Sequence, residues 1–178
     1  MENNSEPDFT YEDRFNVPYL EKKFADSKLN ENNYHDAIKH YSKAIMAVKI
    51  LHEDKSIDKD QLEKYVKEVG VPSNLNISYC YYKLKDWNNV IPHTTRVIEF
   101  DKKHVKALYR RCLAYIYLDK FEKADEELYQ LEDLIGGTKE LEDLHSLFES
   151  RQQEIKKKEN IIYQRMFKKY HNSIIYIR

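Results

Sequence analysis

Glycine and proline are scarce in this chain. Of its 178 residues, three are Gly and four are Pro, while charged residues make up 34%. Because Gly and Pro interrupt helices and form turns, their scarcity favours long helices with solvated outer faces. A chain of this length holds one domain, or one domain with an appendage.

Cysteine, net charge and long apolar runs are also limited, and each deficit excludes a class of protein. Two cysteines, Cys80 and Cys112, cannot form a disulfide framework, and we expect both to be buried thiols. A net charge of −1 gives no overall field that would attract nucleic acid. No apolar run approaches the length of a membrane span, and the acidic N-terminal residues fit neither a secretory signal nor a transit peptide. We therefore expect a cytosolic protein that binds neither membranes nor nucleic acid.

Two stretches of the chain repeat each other with an offset of 34 residues. The aligned pairs are Ser78 and Cys112, Tyr81 and Tyr115, Trp87 and Phe121, and Val90 and Ala124. This period, with small and aromatic residues in this order, is typical of the tetratricopeptide repeat (TPR), a helix–turn–helix unit. The small residues allow paired helices to approach closely, and the aromatic residues fill the space between successive pairs.

A third copy lies upstream, with its signature residues at Ala25, Tyr34, Ala37, Tyr41 and Ala44. The first repeat begins near Pro18 and the second near Val71, which is 53 residues later rather than 34, so about 19 residues are inserted between them. Three repeats are the usual minimum for a continuous core. The sequence therefore predicts an all-α TPR solenoid of three helix–turn–helix repeats with a long C-terminal helix.

The chain divides into four predicted parts. These are a flexible N-terminal arm at 1–16, three repeats at 17–137 with an insertion around 52–72, a C-terminal helix at 138–170, and a tail at 171–178. Within the insertion, Asp60 is expected to cap a short helix. Gly70 and Pro72 are expected to stop that helix before the second repeat begins.

No catalytic or metal-binding motif occurs in the sequence. It contains no Gly-rich phosphate loop, HExxH, paired CxxC or nucleophile elbow. His35 and His40 are five residues apart, so they do not share a helix face as two ligands of one metal would. We expect no enzymatic activity and neither a metal nor another cofactor.

Polar residues on the first helix of each repeat are the candidates for ligand binding, because these helices line the concave groove of such a solenoid. The candidates are Lys22 and Asp26 in the first repeat, Asn76 in the second, and Lys106 and Arg110 in the third. Lys and Arg make charge-assisted hydrogen bonds to carboxylates, and an amide can hold a peptide backbone. The pattern favours an anionic, extended ligand. The alternative is that these cations only solvate a groove that binds something else or nothing.

Residues 18–135 resemble the TPR domain of the large FKBP-type immunophilins and of the related aryl-hydrocarbon-receptor-interacting protein. The segments LNISYCYYKLKDW and VKALYRRCLAY are similar to the second and third repeats of that family. The insertion after the first repeat and the YQRMF segment, residues 163–167, are also typical of it. Residues 1–17 are too short for an isomerase domain, so the resemblance implies an adapter without one.

The resemblance also implies a ligand, because in that family a carboxylate clamp holds the EEVD-type C-terminal peptide of heat-shock chaperones. The matching clamp residues are Lys22, Asn76, Lys106 and Arg110. Asp26 stands where many clamps have Asn, and its carboxylate is expected either to repel the peptide carboxylate or to pair with Lys22. Asp26 and Arg110 are expected to lie exposed, so that substituting them would hardly lower the melting temperature.

Two alternatives remain open from the sequence. The chain could be a structural subunit of a large assembly that uses the TPR fold without a peptide ligand. In addition, residues 151–178 carry eight basic and two acidic residues, a net of +6, among apolar residues. Such a basic amphipathic segment suits calmodulin or another acidic partner, unless it is a solvated extension that only caps the solenoid.

Overall fold

The computed structural model describes residues 13–175, with side chains to residue 168, and all regular structure in that range is helical. The α-helices are α1 (Asp13–Asn30), α2 (Tyr34–Glu53), α3 (Lys59–Tyr65), α4 (Val71–Lys83), α5 (Trp87–Phe100), α6 (Val105–Tyr117), α7 (Phe121–Ile135) and α8 (Lys139–Ile175). A π-helical turn, Val66–Gly70, joins α3 to α4. The predicted all-α fold is confirmed.

The helices form a solenoid of three antiparallel pairs, α1 with α2, α4 with α5, and α6 with α7. Each pair packs on the next, the first helices of the second and third repeats, α4 and α6, contact each other, and α6 also contacts α8. The small residues of the repeat are all fully buried at the helix crossings: Ala25, Ala37, Ser78, Val90, Cys112 and Ala124. Their lack of bulk is what allows the paired helices to approach so closely.

The turn within each repeat uses one left-handed residue at an equivalent place. Asn32, Lys85 and Asp119 have φ values of 57°, 57° and 56°. Asn and Asp tolerate this conformation because their short polar side chains bond locally, whereas a long side chain such as that of Lys85 does so at a cost. The next residue then caps the second helix in two of the repeats, since Asn33 and Asp86 accept a bond from the backbone N–H three residues on.

The N-cap of α3, the short helix of the insertion, lies two residues earlier than expected. Asp58, and not Asp60, is the N-cap residue of α3, and its Oδ1 accepts a 2.7 Å hydrogen bond from the backbone N–H of Gln61. The side chain of Asp58 reaches a free N–H of the first turn, whereas Asp60 already lies inside that turn and adds only its charge.

The predicted break at Gly70 and Pro72 is wrong, because the chain continues from α3 into α4 without leaving the helical conformation. Proline has no N–H and its ring crowds the carbonyl four residues back, which in an α-helix causes a kink or a break. Here the π turn takes up one extra residue: the N–H of Val71 bonds to the carbonyl of Val66, five residues before it. The wider turn relieves the crowding that Pro72 would otherwise cause.

Side chains of the second repeat hold this π turn in place. Asn74 donates to the carbonyl of Gly70 at 2.9 Å, and its Oδ1 lies 2.9 Å from Nδ1 of His93, which is then the protonated nitrogen of the neutral ring. His93 also stacks on Tyr81, with ring centroids 5.7 Å apart. Burial lowers the pKa of His93 from 6.5 to about 4. The imidazole that joins α5 to this turn is therefore neutral at physiological pH.

The two ends of the solenoid differ from the predicted boundaries. α1 begins at Asp13, so residues 13–16 of the predicted arm are helical, while residues 1–12 lie outside the described range. α8 continues to Ile175 rather than 170, so much of the predicted tail is helical, and residues 176–178 lie outside the description. At about 55 Å, α8 is much longer than the repeat helices.

Only the first part of α8 packs on the third repeat. Leu141 and Leu144 are buried in the same core as Leu128, and Phe148 meets Phe121 edge to face with ring centroids 5.9 Å apart. Arg151 ends this contact by pairing with Asp119 at 2.9 Å. Beyond it, described side chains as far as 168 are exposed, except for the half-buried Gln152 and Ile155.

We expect Lys85→Gly to stabilise the fold by about 0.5–1 kcal/mol, because Gly adopts positive φ without the steric cost of a side chain. Urea unfolding followed by circular dichroism measures the change. Asn32→Gly is the matched control at the equivalent turn and should be close to neutral, since Asn already tolerates that conformation. Equal effects at both turns would contradict this explanation.

We expect the free energy of unfolding to decrease as the pH is lowered, because His93 in the folded chain resists taking up a proton. The unfolded chain binds a proton near pH 6.5 and the folded chain only near pH 4, so the unfolded state gains protons first. The contribution of neutral His93 is complete above about pH 6.5 and is lost progressively down to about pH 4, up to a total of about 3 kcal/mol.

Urea unfolding at several pH values between 7 and 4 tests this dependence in the wild type and in His93→Gln, which cannot titrate. The difference in unfolding free energy between the two proteins should change with pH over that window. If the two curves stay parallel, His93 does not carry the dependence.

Candidate peptide-binding groove

The five predicted site residues all lie on the first helices of the repeats. Lys22 and Asp26 stand one turn apart on α1, Asn76 lies on α4, and Lys106 and Arg110 stand one turn apart on α6. The structure brings the first three into one hydrogen-bonded network. The other two lie at the third repeat, next to a pocket.

Both carboxylate oxygens of Asp26 are occupied by donors within the protein. Lys22 donates from Nζ to Oδ2 at 2.8 Å, and the Tyr41 hydroxyl donates to Oδ1 at 2.5 Å. Nδ2 of Asn76 lies 2.8 Å from the Tyr41 hydroxyl oxygen and 3.4 Å from Oδ1 of Asp26. Of the two consequences expected for Asp26, the structure therefore shows the ion pair with Lys22. The network ties α1, α2 and α4 together.

Tyr41 is the member of this network that the sequence did not reveal. Its repeat position indicated a core aromatic, and the residue is indeed fully buried. A buried phenol nevertheless needs a hydrogen-bond partner for its hydroxyl. A polar residue on the adjacent helix was the only sequence signal for this contact. Burial, with the hydrogen bond to Asp26, raises the pKa of Tyr41. The hydroxyl therefore stays protonated and keeps donating.

Arg110 is half-buried and bound to α4, contrary to the expectation that it lies exposed. Nη1 donates to the carbonyl of Leu75 at 2.7 Å and to Oγ of Ser78 at 3.2 Å. The guanidinium carbon lies 5.1 Å from the ring centroid of Tyr79, a cation–π contact. Burial lowers the pKa of Arg110, but a guanidinium remains charged in proteins. Arg110 therefore links the second and third repeats as well as bringing charge to the groove.

Lys106 is exposed and, within the described part of the chain, makes no ion pair. With Arg110 it lines a pocket of about 420 Å³ between α6 and the start of α8. Val105, Tyr109 and Ile135 give this pocket largely apolar walls. Glu140 also lines the pocket, so the site can accept an apolar side chain, and an acidic neighbour would meet Lys106 and Arg110 beside that carboxylate.

Residues 13–168 hold no group of three or more His, Cys, Asp or Glu that could bind a metal ion. None of the helices described is both long and apolar enough to span a membrane. Cys80 and Cys112 are fully buried, and burial raises their pKa values to about 11 and about 12, so both remain thiols.

No family model matches the chain. Among solved structures, the C-terminal TPR-containing domain of a Plasmodium falciparum FK506-binding protein is 28% identical, with a TM-score of 0.72 over 84% of this chain and 97% of that domain. The second TPR domain of human RPAP3, solved in complex with the HSP70 peptide SGPTIEEVD, shares the fold with a TM-score of 0.56 at 21% identity, over 74% of this chain and 98% of that one.

Among curated proteins, FK506-binding protein 59 of Drosophila melanogaster is 31% identical over 104 residues, which are 58% of this chain and 24% of that protein. The chain thus spans about a quarter of the length of this relative. Sequence and fold agree: the chain has the fold of a tetratricopeptide repeat solenoid and is similar to the TPR domains of FKBP-type immunophilins.

Proposed function

We propose that the chain is a non-enzymatic adapter whose groove binds the acidic C-terminal peptide of a heat-shock chaperone. The observation that carries the proposal is the placement of Lys22, Asn76, Lys106 and Arg110 on the first helices of three successive repeats. The proposal is supported by the RPAP3 domains of the same fold, which were solved with the EEVD-ending peptides SRMEEVD of HSP90 and SGPTIEEVD of HSP70.

The third repeat offers the stronger contacts in this proposal. The Nζ of Lys106 is free to meet a carboxylate, and the apolar pocket beside it can take a neighbouring aliphatic side chain. Arg110 uses one of its nitrogens to bind α4, which leaves other N–H groups for a ligand and fixes the plane of the guanidinium. A fixed donor loses less entropy on binding than a mobile one.

The first repeat contributes less, because Asp26 compensates the charge of Lys22. Among the five site residues the net charge is +2, rather than the +3 that a neutral residue at 26 would leave. The residual positive charge therefore belongs to the third repeat. A peptide would meet Lys22 only in competition with Asp26, which holds it at 2.8 Å.

The second candidate function is that of a structural subunit in a larger assembly. Two observations favour it: the ion pair that neutralises Lys22, and the apolar side chains exposed on the free part of α8. Those side chains are Ile161, Ile162, Tyr163, Met166 and Phe167. A subunit of this kind would stay in a stable particle during purification, whereas a chaperone adapter would exchange.

Asp26→Asn should strengthen the binding of SGPTIEEVD by roughly tenfold at low salt, and the gain should shrink as salt rises. The amide removes the negative charge that holds Lys22, while its oxygen can still accept from Tyr41. Isothermal calorimetry measures the affinity. Glu31→Gln is the matched control, because it removes the same charge from an exposed pair with Lys28 at the end of α1. Equal gains in both variants would show a general charge effect rather than a site effect.

Lys106→Ala and Arg110→Ala should separate binding from folding. Both should weaken SGPTIEEVD binding by about tenfold or more, because each removes a charge-assisted contact. Only Arg110→Ala should also lower the unfolding free energy, by about 1.5–3 kcal/mol, since it breaks the bonds to Leu75 and Ser78. Calorimetry and urea unfolding give the two quantities, with Lys102→Ala, in the exposed turn before α6, as the control.

The C-terminally amidated peptide decides between the two candidate functions. An adapter that recognises a terminal carboxylate binds the amidated form more weakly than the free acid. If wild type and Asp26→Asn alike give no heat with millimolar free peptide, the peptide adapter is ruled out and the assembly subunit is the better account.

A further inference from the structure

The end of the solenoid at the first repeat is uncovered. Leu20 and Phe24 on α1 are each more than half exposed. The equivalent positions of the second repeat, 53 residues later, hold Ser73 and Ile77, and both of these are fully buried. In an internal repeat the preceding repeat covers this face, whereas in the first repeat no described residue covers it.

The second helix of the repeat extends this apolar surface. Met46 and Ile50 are one turn apart on α2 and are also more than half exposed. Val17 and Ile50 line one pocket of about 280 Å³, so Leu20 on the antiparallel helix lies close to the level of Met46. The end surface is the patch formed by Val17, Leu20, Phe24, Met46, Ala47 and Ile50.

Charges of opposite sign stand at the two ends of this patch on α2. Lys39 and Glu53 each lie seven residues from Met46, which is two helical turns or about 10 Å, and on the same side of the helix. Both are exposed, and neither takes part in an ion pair between described residues. Along α2 the end surface therefore runs from an ammonium group through apolar side chains to a carboxylate.

α1 has the same arrangement of charges. Asp13 is exposed at the end where Glu53 stands, and Lys28 lies at the other end, where it pairs with Glu31 at 2.7 Å. Because α1 and α2 are antiparallel, both Asp13 and Glu53 fall at one end of the patch, and Lys28 and Lys39 fall at the other.

The other charged side chains near the end surface do not change this polarity. The exposed Lys23 and Lys49 lie about 90° around their helices from the patch. Two further ion pairs are compensated within one copy, Arg14 with Asp54 and Lys43 with Glu21. The end surface is thus apolar in the middle, acidic at one end and basic at the other.

A surface with this polarity is complementary to a second copy of itself turned end for end. We propose that two copies of the chain pack through their end surfaces about a two-fold axis that crosses the helices at the level of Leu20 and Met46. Each helix then lies antiparallel to the same helix of the partner, and both copies use the same patch. Glu53 meets the partner's Lys39, and the apolar patch of each copy covers that of the other.

The charges select this orientation over the alternative. A two-fold axis parallel to the helices would place Glu53 opposite the partner's Asp13, and two carboxylates repel each other. The net charge of −1 on the whole chain adds little repulsion between the copies. Lys22 lies about 160° around α1 from Leu20, so the groove stays open in both copies. The dimer therefore presents two grooves.

Charge reversal in the full chain tests this arrangement, with sedimentation equilibrium as the measurement. Glu53→Lys and Lys39→Glu should each raise the dissociation constant of the dimer by about tenfold or more, because each replaces two attractive pairs with two repulsive ones. The double variant Glu53→Lys/Lys39→Glu exchanges the partners in both pairs and should return to within about threefold of the wild type. Lys49→Glu is the matched control, because it makes the same change in net charge as Lys39→Glu on a side of α2 that turns away from the patch. It should leave the dissociation constant unchanged.

A cysteine on the axis tests the register independently. Met46→Cys meets the same residue of the partner, so in a glutathione redox buffer its intermolecular disulfide should form about tenfold faster, or more, than that of Lys49→Cys. The native Cys80 and Cys112 are buried thiols and do not compete. The substituted positions are all exposed, and circular dichroism checks that each variant is folded.

A full chain that stays monomeric at about millimolar concentration would overturn the proposal. A double charge variant that associates no more tightly than either single variant would do the same, as would equal disulfide rates for the two cysteine variants. Species that grow beyond dimers would show that this end packs on the opposite end of another copy, which contradicts a two-fold contact.

Discussion

The close approach of helices at small residues is the constraint on which the rest of this structure depends. Ala25 and Ala37 in the first pair, and Cys112 and Ala124 in the third, leave no room between backbones, and all are fully buried. Because each pair is held so tightly, the first helices stand at a fixed spacing along one side. The packing on the buried side of each first helix therefore fixes the positions of Lys22, Asn76 and Lys106 on its groove side. A larger side chain at a crossing would displace groove residues that it does not touch.

Polar contacts then join one repeat to the next. Asp26 gathers Lys22, Tyr41 and Asn76 across the first two repeats, and Arg110 reaches from the third repeat to Leu75 on the second. These contacts involve the residues that are candidates for ligand binding, so stability and recognition are not independent here. A substitution at Asp26 or Arg110 alters the joint between repeats and the charge of the groove together, whereas Lys106 affects the charge alone.

The parts of the fold that could be predicted are those that the spacing of residues along the chain determines. The 34-residue period places the repeats, because each small residue must meet a helix crossing. The turn through Gly70 and Pro72 could not be predicted, since local rules favour a break there and only a π turn held by Asn74 and His93 keeps the helix continuous. In the candidate site the residue types and their helices were predictable. The partners of Arg110 were not, because a side chain long enough to reach a ligand is also long enough to reach the neighbouring helix.

The π turn joins α3, in the insertion, and α4, in the middle of the groove, into one continuous helical rod. From Lys59 to Lys83 the backbone stays helical for 25 residues, a length of about 37 Å. Asn76 thus stands on the same rod as α3, so that tilting α3 would move the amide with it. The two halves of this helix are also fixed in rotation about its axis. Because the π turn already takes up one extra residue, adding another between α3 and α4 would rotate α3 by about 100° relative to α4. The length of this insertion is therefore constrained by helical phase, and single-residue changes here would be felt at the groove.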